Sequence, residues 1–306
     1  MRNVLIVSKN SADYTRLIEE AHLPDARLIA PAQAAEAEII FGEPNLIRPL
    51  MERENQVRWV QSTWAGVEPL LDPSLRRDYT LTNARGVYGR LMAEYVFAYL
   101  LLHERKILQR LEAQQQRRWD ATLTGTLQGK TIGLLGVGSI GAEVARTAKF
   151  FGMAVRGYTR ASEDSPDVDT YYHGEDALLE FARGLDYLIN ILPGTAATRH
   201  VVSAGVLAQL PPHALFFNVG RGSAVDEAAL VSALRSGQIA GAVLDVFNEE
   251  PLPAEHPLWS APNTIITSHT SAPSFPEDIA RLFVENYRRY AAGEGLMYEV
   301  DFERGY

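Results

Sequence analysis

An apolar run, TIGLL at residues 131–135, leads straight into Gly136-Val137-Gly138-Ser139-Ile140-Gly141, and a helical stretch, AEVARTAKFFG, follows. Few sequence features restrict a fold so tightly. A glycine-rich turn that ends a strand and opens a helix belongs to a βαβ unit, and so to a parallel sheet with helices on its faces. The first glycine permits the tight turn, the second lets the backbone approach a pyrophosphate, and the third lets helix and strand pack closely. Free N–H groups and the positive dipole end at the helix start suit the phosphates. Gly136, Gly138, Ser139, Ile140 and Gly141 are therefore expected to bind a dinucleotide. Glycines serving only a turn would give the same spacing. The strand before, the helix after and a further strand beyond weigh against that.

The rest of the chain fits the same class. Short apolar runs at 4–8, 38–42, 57–62 and 79–83 alternate with helical segments near 13–21 and 45–51. The middle third carries strand candidates at 131–136, 154–159, 186–192, 214–219, 240–246 and 264–267. Several are apolar nearly throughout, as strands buried on both faces should be. Ser203 and Asp226 are placed to cap the helices that follow them. One long helical pattern covers 91–116, apolar in its first half and rich in Gln and Arg in its second, and a domain crossing is expected there. A last helix is expected over 276–292, ending at Gly293. The length, 306 residues, suits two domains. The pattern is that of an α/β protein built on doubly wound parallel sheets.

Composition removes other classes. The net charge of −9 counts against a nucleic-acid partner, which usually meets a basic face. Cysteine is absent, so disulfides, thiolate zinc sites, iron–sulfur clusters and thiol nucleophiles are excluded, and no metal is expected. The start, MRNVLIVSKN, lacks the long apolar core of a signal peptide, and the longest apolar stretch, at 95–102, is far short of a membrane span. A cytoplasmic protein is expected.

The strand after the glycine loop ends Gly157-Tyr158-Thr159-Arg160. An NAD-binding unit usually places Asp or Glu there, on the ribose hydroxyls. Thr159 takes that position and Arg160 follows, so a 2′-phosphate meets no carboxylate and finds a guanidinium. A hydrogen bond to a charged group contributes about 1.5–3 kcal/mol, roughly ten- to a hundredfold in affinity. NADP(H) is expected over NAD(H). The alternative is a solvated Arg160, with Glu163 or Asp164 folding back onto the ribose of NAD(H).

Three further segments set charge at the carboxyl ends of expected strands, the edge where open α/β sheets bind ligands. These are FFNVGRGSAVDE with Arg221, AVLDVFNEEPLP with Glu249 and Glu250, and NTIITSHTSAP with His269. Each alone reads as a surface turn, a solvated loop or a structural histidine. Together, beside a dinucleotide loop, they form a chemical set. Hydride transfer to a 2-oxo acid needs a cation for the carboxylate and ketone, an acid for the forming alkoxide, and a partner that favours the charged acid. Arginine's planar fork suits the first, histidine the second, and a carboxylate the third. This assigns Arg221, His269 and Glu250.

With these motifs in view, the sequence resembles the D-isomer-specific 2-hydroxyacid dehydrogenases, the family of glyoxylate/hydroxypyruvate reductases and phosphoglycerate dehydrogenases. The resemblance runs through QSTWAGVE (61–68), NARGVYGRLMAEYVFAYLL (83–101), GKTIGLLGVGSIG (129–141), ILPGTAATRH (191–200), NVGRG (218–222), LDVFNEEPLP (244–253) and SHTS (268–271). It implies Arg221, Glu250 and His269 as the catalytic set, with Glu250 preferred to Glu249 because it directly precedes the proline. It further implies Asp245 on the nicotinamide carboxamide, and Leu192, Pro193, Thr198, Val219 and Gly220 along the cofactor. Met92 is placed near the nicotinamide. Backbone N–H groups at Trp64, Ala65 and Gly66 are assigned to the substrate carboxylate.

The implied fold is two Rossmann-like domains with an interdomain cleft: 1–96 plus 272–306 for substrate and 97–271 for the dinucleotide. A homodimer through the nucleotide-binding domain is also implied. Two positions depart from the usual family pattern: Thr159, and Thr-Ser-Ala-Pro after the histidine in place of a glycine-rich run. The expected activity is NADP(H)-dependent reduction of a small 2-oxo acid of the glyoxylate/hydroxypyruvate class to its D-2-hydroxy acid. A dehydrogenase for a bulkier 2-hydroxy acid and a dinucleotide-sensing, co-repressor-like binding protein are the alternatives.

Overall fold

The computed structural model describes residues 1–160 and 165–306, in two compact units. The first comprises Met1–Val87 and Ser274–Tyr306, the second Tyr88–Pro273. Every pairing between their strands is parallel.

The first unit holds β1 (Arg2–Val7), α1 (Ser11–Glu20), β2 (Ala26–Ile29), β3 (Ile39–Gly42), α2 (Pro44–Met51), β4 (Trp59–Ser62) and β5 (Thr80–Thr82). Its sheet runs β2-β1-β3-β4-β5, a doubly wound order. Leu5, Ile40, Val60 and Leu81 pack with Ile47 and Met51 of α2. An aromatic cluster forms from Tyr14, Phe41, Trp59 and Phe283, with Phe41 and Phe283 stacked at 4.5 Å. Phe283 comes from the C-terminal helix, Pro276–Ala292, whose Ile279, Phe283 and Tyr287 recur at four-residue spacing and are fully buried. Such a stripe must be covered, which brings this helix back to the first sheet. It opens with Pro276 and stops where Gly293 turns left-handed at φ 72°, as its sequence leads one to expect.

The second unit holds α3 (Gly89–Glu104), α4 (Ile107–Gln115), β6 (Thr131–Leu135), α5 (Ser139–Phe150), β7 (Ala154–Tyr158), β8 (Thr170–Tyr172), α6 (Leu178–Ala182), β9 (Tyr187–Asn190), α7 (Ala204–Leu207), β10 (Leu215–Asn218), α8 (Glu227–Arg235), β11 (Gly241–Leu244) and β12 (Thr264–Ile266). The strand order is β12-β11-β10-β9-β6-β7-β8. The chain winds outward from β6 to one edge, returns to β9 and winds to the other. The topological switch point therefore lies between β6 and β9, directly above the glycine loop. Alternate residues of β9 to β11 serve two cores. Leu188, Phe216 and Ala242 pack with Val206, Leu207, Leu230 and Leu234. Ile189, Phe217 and Val243 share the other core with Val96 and Leu100 of α3 and Val144 and Ala148 of α5. Hence these strands are apolar throughout.

The expected strands appear within two residues at each end. Three details differ. The helical pattern over 91–116 is two helices, because Lys106 takes a left-handed φ of 50° and starts α4 afresh. Only Ala113 of α4 is buried, so nothing in the core holds the second half in line with the first. Strands β2 and β8, at the sheet edges, have no counterpart among the apolar runs. Asp226 caps α8 by accepting the Ala229 N–H at 3.0 Å, whereas Ser203 occupies the cap position of α7 without a side-chain bond. No helix among the described residues is long and apolar enough to cross a membrane, and no cluster of three or more His, Cys, Asp or Glu could hold a metal there.

Candidate active site

The glycine loop joins β6 to α5. Gly136 has φ +99°, open to glycine and costly for other residues. A Cβ on Gly141 would stand 2.4 Å from the Gly136 carbonyl, so helix and turn touch backbone to backbone. Gly138 faces open space. Beside it is a hollow of about 400 Å³ lined by Val137, Gly138, Ser139, Ala142 and Arg146 among others. The opening of α5, where Ser139 and Ile140 stand, leaves first-turn N–H groups without intrahelical acceptors. An outward-facing glycine, free amides and an adjoining hollow fit the phosphates of a dinucleotide.

Arg221, Glu250 and His269 follow β10, β11 and β12, three neighbouring parallel strands, at their carboxyl edge. His269 Nδ1 lies 2.8 Å from Glu250 Oε2, and Glu250 Oε1 accepts the Phe247 N–H at 2.9 Å. The pair is partly open to solvent. Since a carboxylate only accepts, Nδ1 carries a proton and Nε2 is the ring nitrogen left for chemistry. The Arg221 loop is pressed onto the Glu250 loop: a Cβ on Gly222 would fall 1.9 Å from the Phe247 carbonyl carbon. Asn218 stitches the two together, its Nδ2 donating to the Arg221 and Val246 carbonyls, both at 3.3 Å. Asn190 in turn donates to Asn218 Oδ1 at 2.8 Å. The half-buried Arg221 guanidinium is steadied by the Gly220 carbonyl at 2.8 Å.

A family model described as D-isomer specific 2-hydroxyacid dehydrogenase, NAD binding domain, matches residues 97–271. The chain belongs to the D-isomer-specific 2-hydroxyacid dehydrogenase family. It is thus an NAD(P)-dependent oxidoreductase. It is 33% identical over 281 residues to glyoxylate/hydroxypyruvate reductase A of Yersinia enterocolitica, covering 90% of this chain and 88% of that one. A family protein from Aeromonas salmonicida superposes with a TM-score of 0.92 at 44% identity, covering 98% of this chain and 99% of that chain. A second, from Xanthobacter autotrophicus in complex with NADPH and MES, gives 0.88 at 33% identity, covering 100% and 99%.

The remaining positions that the dehydrogenase resemblance singled out take these places. Leu192 and Pro193 follow β9, and Val219 and Gly220 follow β10, all on the edge that carries the glycine loop. A Cβ on Gly220 would meet the Leu192 carbonyl at 2.6 Å, so these two loops also touch. The Thr198 hydroxyl is spent locally, donating to the Pro193 carbonyl at 2.6 Å. Met92 is buried in the core that holds Val137 and Val219. Asp245 is fully buried; its oxygens accept the Thr267 hydroxyl at 2.5 Å and the Thr270 and Ser271 N–H groups at 2.8 and 3.0 Å. It therefore holds the turn that bears His269. Thr159 is buried at the end of β7, and the exposed Arg160 follows. Glu163 and Asp164 lie outside the described residues.

In the first unit, the Trp64 N–H donates to its own neighbour Ser62 Oγ at 2.9 Å, which leaves Ala65 and Gly66 as the loop's available donors. Asn83 fixes this loop by donating to the Ala65 carbonyl at 2.9 Å. The Trp64 side chain is 38% exposed. The reading from sequence missed Ser62, Asn83, Asn190, Asn218 and Thr267. Their one visible mark is a polar residue set in or next to an apolar strand.

Proposed function

We propose that this protein reduces a small 2-oxo acid of the glyoxylate/hydroxypyruvate class to its D-2-hydroxy acid with NADPH. The observation that carries the reading is the His269–Glu250 bond at 2.8 Å, on the sheet edge that also bears Arg221 and the glycine loop. The Yersinia enterocolitica relative is named a glyoxylate/hydroxypyruvate reductase, and the Xanthobacter autotrophicus relative was solved in complex with NADPH, which supports the reading.

When bound, reduced nicotinamide would supply a hydride to the carbonyl carbon. Arg221 holds the substrate carboxylate and polarises the carbonyl through its planar fork. His269 delivers the Nε2 proton to the carbonyl oxygen as the carbon–oxygen double bond opens, and keeps its Nδ1 proton toward Glu250. Glu250 fixes that tautomer and the ring's orientation by accepting at Nδ1. Carbonyl, hydride and proton balance to one hydroxy acid. Gly136, Gly138, Ser139, Ile140 and Gly141 would seat the pyrophosphate, and Thr159 and Arg160 would receive the 2′-phosphate. Leu192, Pro193, Thr198, Val219, Gly220 and Met92 border the cofactor, and Asp245 supports the nicotinamide side through the His269 turn. The Ala65 and Gly66 N–H groups would serve as donors to a carboxylate.

A homodimer through the second unit is part of the proposal. Trp119 and Leu123 are 94% and 88% exposed, and Leu108 and Leu111 of α4 are also open. Bonds from Arg110 to the Asp120 and Thr122 carbonyls tie the segment between Trp119 and Leu123 to α4.

The test is NADPH and NADH oxidation over a panel of 2-oxo acids: glyoxylate, hydroxypyruvate, and branched and aromatic examples. Turnover of the small acids with NADPH preferred is expected. Preference for the bulky acids would replace the substrate class, and cofactor binding without any reduction would replace the enzyme with a sensor.

A further inference from the structure

Behind His269 the hydrogen bonds continue into the body of the second unit. The turn after β12 hangs on one residue: besides its three side-chain bonds, Asp245 accepts the His269 N–H on its own carbonyl at 2.8 Å. His269 itself has φ +55°, a region unfavourable for a residue with a side chain and one it leaves when unsupported. The position of Nε2 is thus set by how firmly Asp245 and Thr267 are held.

We propose that Tyr95 is a positioning residue for His269, acting through Thr267 and Asp245. The Tyr95 and Thr267 hydroxyls are 2.6 Å apart. Thr267 has a single hydroxyl proton and gives it to the Asp245 carboxylate. Tyr95 is therefore the donor to Thr267, and the chain runs Tyr95 to Thr267 to Asp245 in one direction. Burial holds the Tyr95 hydroxyl protonated well above its usual range, so the donor persists at any working pH.

Tyr95 stands on α3, and the start of α3 rests on the helix of the glycine loop. A Cβ on Gly89 would lie 2.6 Å from Glu143 Cγ and 3.1 Å from the Ser139 carbonyl. The His269 turn is in this way referenced to the same helical layer that seats the phosphates. Without the Tyr95 hydroxyl, Thr267 and Asp245 lose one fixed neighbour, and Nε2 samples positions away from the carbonyl oxygen.

This role rests on His269 being the acid, so the experiment separates the two. Turnover of hydroxypyruvate with NADPH is measured for wild type, Tyr95→Phe, Thr267→Val and Thr267→Ser, and for Tyr95→Phe in a His269→Ala background. Tyr95→Phe and Thr267→Val are expected to lower kcat about three- to tenfold with KM values near wild type. Thr267→Ser keeps the hydroxyl and restores the rate. In the His269→Ala background the Tyr95→Phe change costs nothing more. A Tyr95→Phe kcat equal to wild type, or the same loss with and without His269, would overturn the positioning role. A His269→Ala enzyme as fast as wild type would overturn the acid assignment, and this role with it.

Discussion

The carboxylate of Glu250 bridges two loops: one oxygen meets His269 Nδ1 at 2.8 Å and the other accepts the Phe247 N–H at 2.9 Å. It therefore fixes the imidazole ring and places a negative charge against it. Glu250→Gln keeps the shape and removes the charge. Its kcat for 2-oxo acid reduction is expected to fall by about tenfold or more, because an amide can turn its own N–H₂ toward Nδ1 and no longer fixes the ring and its tautomer. Steady-state rates of both enzymes check this, and a Glu250→Gln kcat equal to wild type would remove the pairing from the mechanism.

In the proposed function Arg160 pairs with the 2′-phosphate and so separates the two dinucleotides. Arg160→Ala is expected to weaken NADPH binding by about ten- to a hundredfold and leave NADH binding near wild type. Fluorescence titrations of both cofactors measure the two constants. Equal weakening would take the 2′-phosphate away from this side chain.

How much of this could be read from sequence depends on what kind of contact each residue makes. The glycine loop was legible because two of its glycines answer local needs, the φ of +99° at Gly136 and the backbone contact at Gly141. The C-terminal helix was legible because Pro276 and Gly293 mark its ends. The break at Lys106 was not, since neither glycine nor proline stands there and the turn follows from where the core ends. Nor were Asn218, Asn83 and Thr267. Each satisfies backbone or side-chain groups of a loop brought close only by the sheet order, and a polar residue at a strand end carries no mark of its distant partner. The placement of Arg221, Glu250 and His269 along one sheet edge was legible because each lies beyond an apolar run, and parallel pairing sets the ends of those strands side by side.

The exposed apolar face around α4 predicts the assembly. Leu108→Glu combined with Leu111→Glu is expected to shift the protein from dimer to monomer in sedimentation at micromolar concentration, while each unit stays folded. A wild-type protein that sediments as a monomer would remove the dimer from the proposal.

Asp186, just ahead of β9, supplies an acid-sensitive part of the stability. Burial alone would raise its pKa, but the Thr131 N–H at 2.8 Å and Lys130 at 3.1 Å outweigh it and hold the carboxyl below the ordinary 3.8. A depressed carboxyl stabilises the folded state fully above its unfolded value and loses that contribution as pH falls through the lower, folded one. Asp186→Asn is expected to cost about 1–3 kcal/mol at neutral pH and to flatten the fall in stability below pH 3.8. Denaturant melts at several pH values read both effects, and parallel curves for the two proteins would contradict them.

The most direct measurement is the rate of NADPH oxidation with glyoxylate and hydroxypyruvate for wild type and His269→Ala, together with NADPH affinity. The expected result is a wild type that turns over and a variant about 10²–10⁴-fold slower with cofactor binding unchanged. A His269→Ala protein that reduces either acid at the wild-type rate would contradict the assignment of that imidazole as the proton donor.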